Sequence, residues 1–183
     1  MKKSSIIVLD PSWSYNDKAH SGKRGVIYKY KTMTIQDMMK LNISKISKPN
    51  SIILMWVTFP FIQEGLNLIK QYGFKYKTIE FFWHKIYRNG KSFMGMGNGS
   101  RANVEVVLRG KKGKGVKVKD HGIRQFIESV PEGHSKKPDE FYKRVELLYG
   151  KVSRTEVFAT KTRKGWQSLG YDIDGKDIRK VLK

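Results

Sequence analysis

The sequence predicts an α/β fold built on a mostly parallel sheet, and three observations point to it. Ser51–Thr58 (SIILMWVT) is an unbroken apolar run, as a strand covered on both faces requires. Strand-like runs alternate along the chain with segments whose apolar residues recur at helical spacing. Apolar residues make up 39% of 183 residues, enough at this length to bury one core.

Taken in order, Ser5–Leu9 is a short β-branched run that ends abruptly at Asp10-Pro11. Residues 14–33 are polar, basic and glycine-containing and read as a long loop, which in a compact domain is usually functional. Thr34 caps a short helix expected over Ile35–Leu41. After the buried strand Ser51–Thr58 and Pro60, the spacing of Phe61, Leu66 and Ile69 suits a helix ending near Gly73. Lys77–His84 is a further strand, and 85–103 a basic, glycine-rich segment.

Val104–Leu108 is expected as a strand stopped by Gly110, with 110–119 (GKKGKGVKVK) a basic loop. Pro138 opens a helix whose first turn carries Asp139 and Glu140, where the helix dipole favours carboxylates. Phe141, Val145 and Leu148 form its apolar stripe, and Gly150 ends it. Arg154–Ala159 is the last clear strand. No linker separates two domains, so a single domain over 1–183 is expected.

Charge narrows the function. Lys and Arg number 37 against 16 Asp and Glu, a formal excess of +21. That exceeds what solubility needs, and its natural partner is a polyanion. Tyr28, Tyr30, Tyr87 and Phe93 sit among the basic residues, as in grooves that hold unstacked bases. There is no cysteine, which removes disulfides and thiolate zinc sites, and His20, His84, His121 and His134 are too scattered for a metal-ligand pattern. No signal peptide or membrane span is legible, so a cytoplasmic protein is expected.

Three motifs carry chemistry. A strand followed by Asp10-Pro11-Ser12-Trp13 puts a carboxylate at the ligand edge of a sheet, beside a proline that lacks an amide hydrogen. A carboxylate and a carbonyl together accept both hydrogens of an exocyclic amine, and an adjacent indole can stack on the ring bearing it. Read alone, the tetrapeptide is equally an Asp-Pro turn with a core tryptophan. His134-Ser-Lys-Lys137-Pro138 precedes a helix and can hold a carboxylate or phosphate, or simply form a basic first turn. Glu156 could accept ribose hydroxyls, or face water as an edge residue. Gly95–Ser100 leads through Arg101, which could contact phosphate, but no helix of dinucleotide-binding pattern follows.

Together these pieces resemble the family of the eukaryotic messenger-RNA N(6)-adenosine methyltransferase and its phage and bacterial relatives. Asp10-Pro11-Ser12-Trp13 looks like the family's DPPW motif, Tyr30-Lys-Thr-Met33 its Y-x-T-M segment, and Leu54-Met-Trp-Val-Thr58 its LxWVT strand. Tyr72-Gly-Phe-Lys75 is similar to its W-G-F/Y-K turn and Phe82-Trp-His-Lys85 to its W-x-K strand. Arg101, Asn103 and Glu105 fall on R-x-N-x-E, and His134–Pro138 on H-S-x-K-P. Thr155–Ala159, then Gly165-Trp166 and Gly170, follow the closing E-L-F-A-R … G-W … G-N-E run.

The resemblance implies a Rossmann-like methyltransferase fold in circularly permuted order, helices on both faces of the sheet, and S-adenosylmethionine as methyl donor with no metal. It implies that Asp10 and the Pro11 carbonyl hold the N(6) amine of an adenine, with Ser12 in the same catalytic turn and Trp13 stacking on the base. Tyr30, Arg101, Asn103 and Glu105 would grip the nucleic acid. Asp10, His134, Lys137, Glu156, Thr160, Arg163, Tyr171 and Asp172 would hold the cofactor. Compact relatives look phage- or bacterium-like, which favours DNA over RNA; a homodimer or a partner subunit is compatible with the family. The sequence departs at Ser12 for the second proline of DPPW, at Thr160 for Arg, and at Tyr171-Asp172 for Asn-Glu. These departures support the alternative of a catalytically silent nucleic-acid-binding module on the same fold.

Overall fold

The computed structural model describes residues 1–13, 33–97, 99–133 and 136–183. Its centre is one seven-stranded sheet. The strands are β1 (Ser4–Leu9), β2 (Ser47–Val57), β3 (Lys75–Lys85), β4 (Val104–Lys112), β5 (Phe126–Ser129), β6 (Arg154–Val157) and β7 (Gln167–Leu169). Their spatial order is β5-β3-β4-β2-β1-β6-β7, and β4 alone among them runs against its neighbours. The mostly parallel sheet expected from the sequence is therefore what the chain builds, and it is Rossmann-like.

β1 is apolar on alternate residues in both directions, and both faces are covered. Ile7 and Leu9 join Ile53, Met55 and Leu108 in one core, closed by α1 (Ile35–Met39), α2 (Ile62–Gln71) and the C-terminal α5 (Ile178–Val181). Ile6 and Val8 join Leu54, Trp56 and Val107 in the other, closed by α3 (Asp139–Tyr149) through Phe141, Val145 and Leu148. A fifth helix, α4 (Tyr171–Asp174), lies between β7 and α5. At roughly 25 cal/mol per Å² of apolar surface removed from water, burying each large aliphatic side chain here contributes about 1.5–3 kcal/mol.

Several boundaries differ from expectation for visible reasons. Thr34 does cap α1, its Oγ1 accepting from the Asp37 amide at 3.1 Å, but the helix ends at Met39. Pro138 is the residue before α3 rather than its first turn. Gly110 does not stop β4: the strand runs on to Lys112, and Gly110 pairs with both Ile53 and Tyr76. A Cβ there would lie 2.7 Å from methyls of both Ile53 and Ile69, so the glycine serves close approach, not termination. β6 is shorter than expected because Phe158 adopts φ +67°, a conformation that a bulky residue holds only under constraint from its surroundings.

Candidate active site

β1, β2 and β6 all end at one rim of the sheet, and because β4 is reversed, its first residues lie there too. Val8 pairs with Glu156 across β1 and β6, so Asp10, two residues further on the same face, projects beside it. The sequence expectation required the first and last chemistry-bearing strands to lie together, and they are hydrogen-bonded neighbours.

The centre of the rim is a desolvated ion cluster. Lys137 Nζ lies 2.9 Å from Asp10 Oδ1 and 3.2 Å from Glu105 Oε2, with its ammonium 5.5 Å from the centre of the Trp56 ring. Lys85 Nζ donates to the other Glu105 oxygen at 2.5 Å. Burial pushes the Asp10 carboxyl above its ordinary value, and Glu105 pushes the same way; the pull of Lys137 does not cancel them. Burial would also raise Glu105, but its two lysines outweigh it and hold the carboxyl low. Burial alone would lower Lys137, yet Asp10 and Glu105 hold the ammonium well above its usual range. Two lysines and two carboxylates thus balance in a confined space, with Asp10 the more readily protonated of the two carboxylates.

Beside this cluster Glu156, 7% exposed, accepts from the Tyr142 hydroxyl at 2.5 Å. Burial, with Asp10 nearby, raises the Glu156 carboxyl. The Arg163 guanidinium stacks on the Tyr142 ring at 3.6 Å and pairs with Asp139 at 2.8 Å, while Lys161 reaches the same Asp139 oxygen at 3.3 Å. The loop after β6 is thereby tied to the first turn of α3. Ser168, the register partner of Glu156 on β7, has a buried Oγ with no partner among the described residues.

Two recesses flank Phe158. A narrow one is lined by Asp10, Lys137, Tyr142, Glu156, Thr160 and Lys161. A wider groove of about 830 Å³ runs past Ser12, Met33, Gly170 and Tyr171 to the C-terminal segment. That is well within the range of small-molecule sites. Gly170 is required in its wall, since a Cβ would lie 2.1 Å from the Ala159 carbonyl oxygen. The donor set fits S-adenosylmethionine: carboxylates for hydroxyls and cationic groups, lysines and an arginine for a carboxylate, and a phenyl ring between the recesses.

Most of the residues expected at the site are brought together: Asp10, Lys137, Glu105 and Glu156 directly, Ser12, Thr160 and Tyr171 as walls, and Arg163 through Tyr142. Asn103 is engaged through its main chain, its carbonyl accepting from the Lys85 amide at 2.8 Å. Arg101 and Asp172 are exposed, and Tyr30 and His134 lie outside the described residues.

Trp13 requires a correction. Its indole is 6% exposed, stacks on Phe61 at 5.1 Å and donates to the Trp56 carbonyl at 3.2 Å. In this conformation it is a core residue that anchors the turn after β1 and does not present an open ring to a base. The Pro11 carbonyl oxygen accepts from the Trp13 amide at 2.9 Å, leaving one lone pair. Sequence reasoning gave no role to Lys85, Tyr142 or Phe158. Tyr142, next to Phe141 but off the apolar stripe, was the available signal for an aromatic turned to the site. Among the described residues no group of three or more His, Cys, Asp or Glu could hold a metal ion.

Comparison with known proteins identifies the family. Residues 4–172 match the MT-A70 family. The type II methyltransferase M.MunI of a Mycoplasma species is 26% identical over 194 residues, covering 97% of this chain and 81% of that protein. A putative N(6)-adenosine-methyltransferase MT-A70-like protein of Medicago truncatula is 27% identical over 94% of this chain, which spans 27% of the plant protein. The human N(6)-adenine-specific methyltransferase METTL4 is 25% identical over 94% of this chain, which spans 38% of the human one.

Proposed function

The chain belongs to the MT-A70 family, and from that premise we propose that it methylates the N(6) amine of adenine in nucleic acid, using S-adenosylmethionine, with DNA favoured over RNA. The observation that carries the proposal is the adjacency of Asp10 and Glu156 at one sheet rim, with Lys137 bridging Asp10 to Glu105. The preference for DNA rests on compactness: the type II methyltransferase M.MunI is matched over 81% of its length. The amine-binding strand preceding the cofactor strand, β1 before β6, supports the permuted order.

Bound S-adenosylmethionine supplies an electrophilic methyl on a sulfonium. The protein does the rest by position and electrostatics. Glu156, Lys137 and the walls around Phe158 and Gly170 would hold the donor. Asp10 and the remaining lone pair of the Pro11 carbonyl would accept the two amine hydrogens, turning the nitrogen lone pair out of conjugation with the ring. Lys137 Nζ engages Asp10 Oδ1, and the other carboxylate oxygen, Oδ2, would accept the amine hydrogen. On transfer of the methyl group from sulfur to nitrogen the amine would have to shed one proton, and the Asp10 carboxyl, raised by burial, would be suited to take it. Proximity of this kind supplies roughly 7–11 kcal/mol of barrier reduction.

Nucleoside mass spectrometry after incubation with labelled donor and mixed DNA and RNA tests the assignment. N(6)-methyladenine is expected from the wild-type chain and lost in Asp10→Ala; transfer that persists in the variant would sink the role of Asp10. A catalytically silent binding module is the second reading, favoured by Lys137 already occupying Asp10. Saturable micromolar binding of S-adenosylmethionine by calorimetry counts against it.

A further inference from the structure

The rim just described accounts for only part of the charge. At the opposite rim, where β2 and β3 begin and reversed β4 ends, Lys48, Lys75, Lys77, Lys111, Lys112 and Lys114 gather. Register brings them together: Lys75 pairs with Lys111, Ser51 with Lys112, and the Asn50 side chain accepts from the Lys114 amide at 2.8 Å. Lys48, Lys75, Lys77 and Lys114 are exposed, and none of the six has an ion pair among the described residues. By contrast Lys85, Arg144, Lys161 and Arg179 each have a carboxylate partner. The sequence around this rim is also free of acids: no Asp or Glu falls within 38–63, 65–79 or 106–119.

Like charges directly opposite each other across a sheet are destabilising. The Lys75–Lys111 pair, unrelieved by a carboxylate, is therefore a standing cost in the free protein that a polyanion would remove. Tyr76, 41% exposed, follows Lys75 at the same rim but on the opposite face of β3. We infer that this rim is a second nucleic-acid contact, binding the phosphate backbone without reading sequence. Seven residue steps along β4 lead from Glu105 to Lys112, about 24 Å at ~3.4 Å per step, so the contact is remote from the reacting base. It would hold a flanking or second segment of the polymer, keeping the protein on its substrate between encounters with target adenines.

The test is binding, read without cofactor or methyl transfer, so it stands or falls apart from the catalytic assignment. Anisotropy titrations of a 30-base-pair duplex at roughly 50 to 200 mM salt would compare wild type, a Lys75→Gln/Lys77→Gln/Lys114→Gln variant, and a charge-matched Lys40→Gln/Lys143→Gln/Lys164→Gln variant. Thermal melts confirm that each is folded. Each lost phosphate contact flattens the log K against log salt line by about 0.9, so the first variant is expected to be flatter by about 2 to 2.7. An unchanged slope, or the same change in the charge-matched variant, overturns the inference. So does equally tight binding of poly-glutamate lost in parallel, which would assign the rim to an acidic protein partner.

Discussion

Lys137 stands 2.9 Å from Asp10, on the carboxylate that must accept an amine hydrogen if the chain methylates adenine. The ammonium also touches Glu105 at 3.2 Å, and Lys85 holds Glu105 from the far side. Glu105 is therefore an alternative seat for Lys137, already charged and kept so by a second lysine, when Asp10 is needed elsewhere. The energetics of this exchange can be measured.

Lys137→Met should be strongly destabilising. It leaves Asp10 and Glu105 confronting each other in a confined site, and breaking one partner of a buried pair typically costs about 3–5 kcal/mol. Chemical denaturation should show a lower midpoint with an unchanged m-value. A loss under about 1 kcal/mol would mean that water reaches the cluster freely.

Lys85→Met should act differently. Glu105 keeps Lys137, so stability falls less, but Lys137 is drawn more firmly to Glu105. Relative to wild type, cofactor-dependent transfer should change more than the denaturation midpoint does.

The pH dependence follows from signs. Asp10 is raised by burial, so in the folded protein it takes up a proton at higher pH than an ordinary aspartate. Transfer should therefore fall on acidification above the usual range near 3.9. Glu105 is held low, so its contribution to stability is present above its unfolded value and is lost only as pH falls through its lower folded value. Activity should accordingly disappear at a pH where the fold is still intact, as pH–rate profiles and pH-dependent melts on the same samples would show. Coincident loss of both would contradict the split.

Gly110→Ala should destabilise by about 1–3 kcal/mol, the usual cost of overpacking a core. The added methyl meets side chains from β2 and α2 at 2.7 Å. Gly170→Ala meets the main chain of Ala159 instead, and should reduce donor binding measured by calorimetry more than it lowers the melting temperature.

The sheet was legible wherever burial on both faces forces an apolar run, as in Ile52–Val57 and Ile6–Leu9. β5 and β7 were not, because Phe126–Ser129 buries only Ile127 and Gln167–Leu169 is three half-buried residues; both are strands by virtue of a neighbour. Asp10, Lys137 and Glu156 were legible as ordered motifs. The coupling of Glu105 to Lys137 and to Lys85 was not, since 32 and 20 residues separate those partners and only the reversed β4 makes them meet. Trp13 misled because a tryptophan after a catalytic aspartate suits a base platform as well as a core anchor, and packing against Phe61 decided between them.

The reversal of β4 has an evolutionary corollary. Residues 86–103 leave the sheet at the end of β3 and return at the start of β4, so their entry and exit share one rim. Lengthening, trimming or replacing that excursion leaves every strand threaded as before. Variation in that excursion is thus separable from the strands that carry Asp10, Glu105 and Glu156.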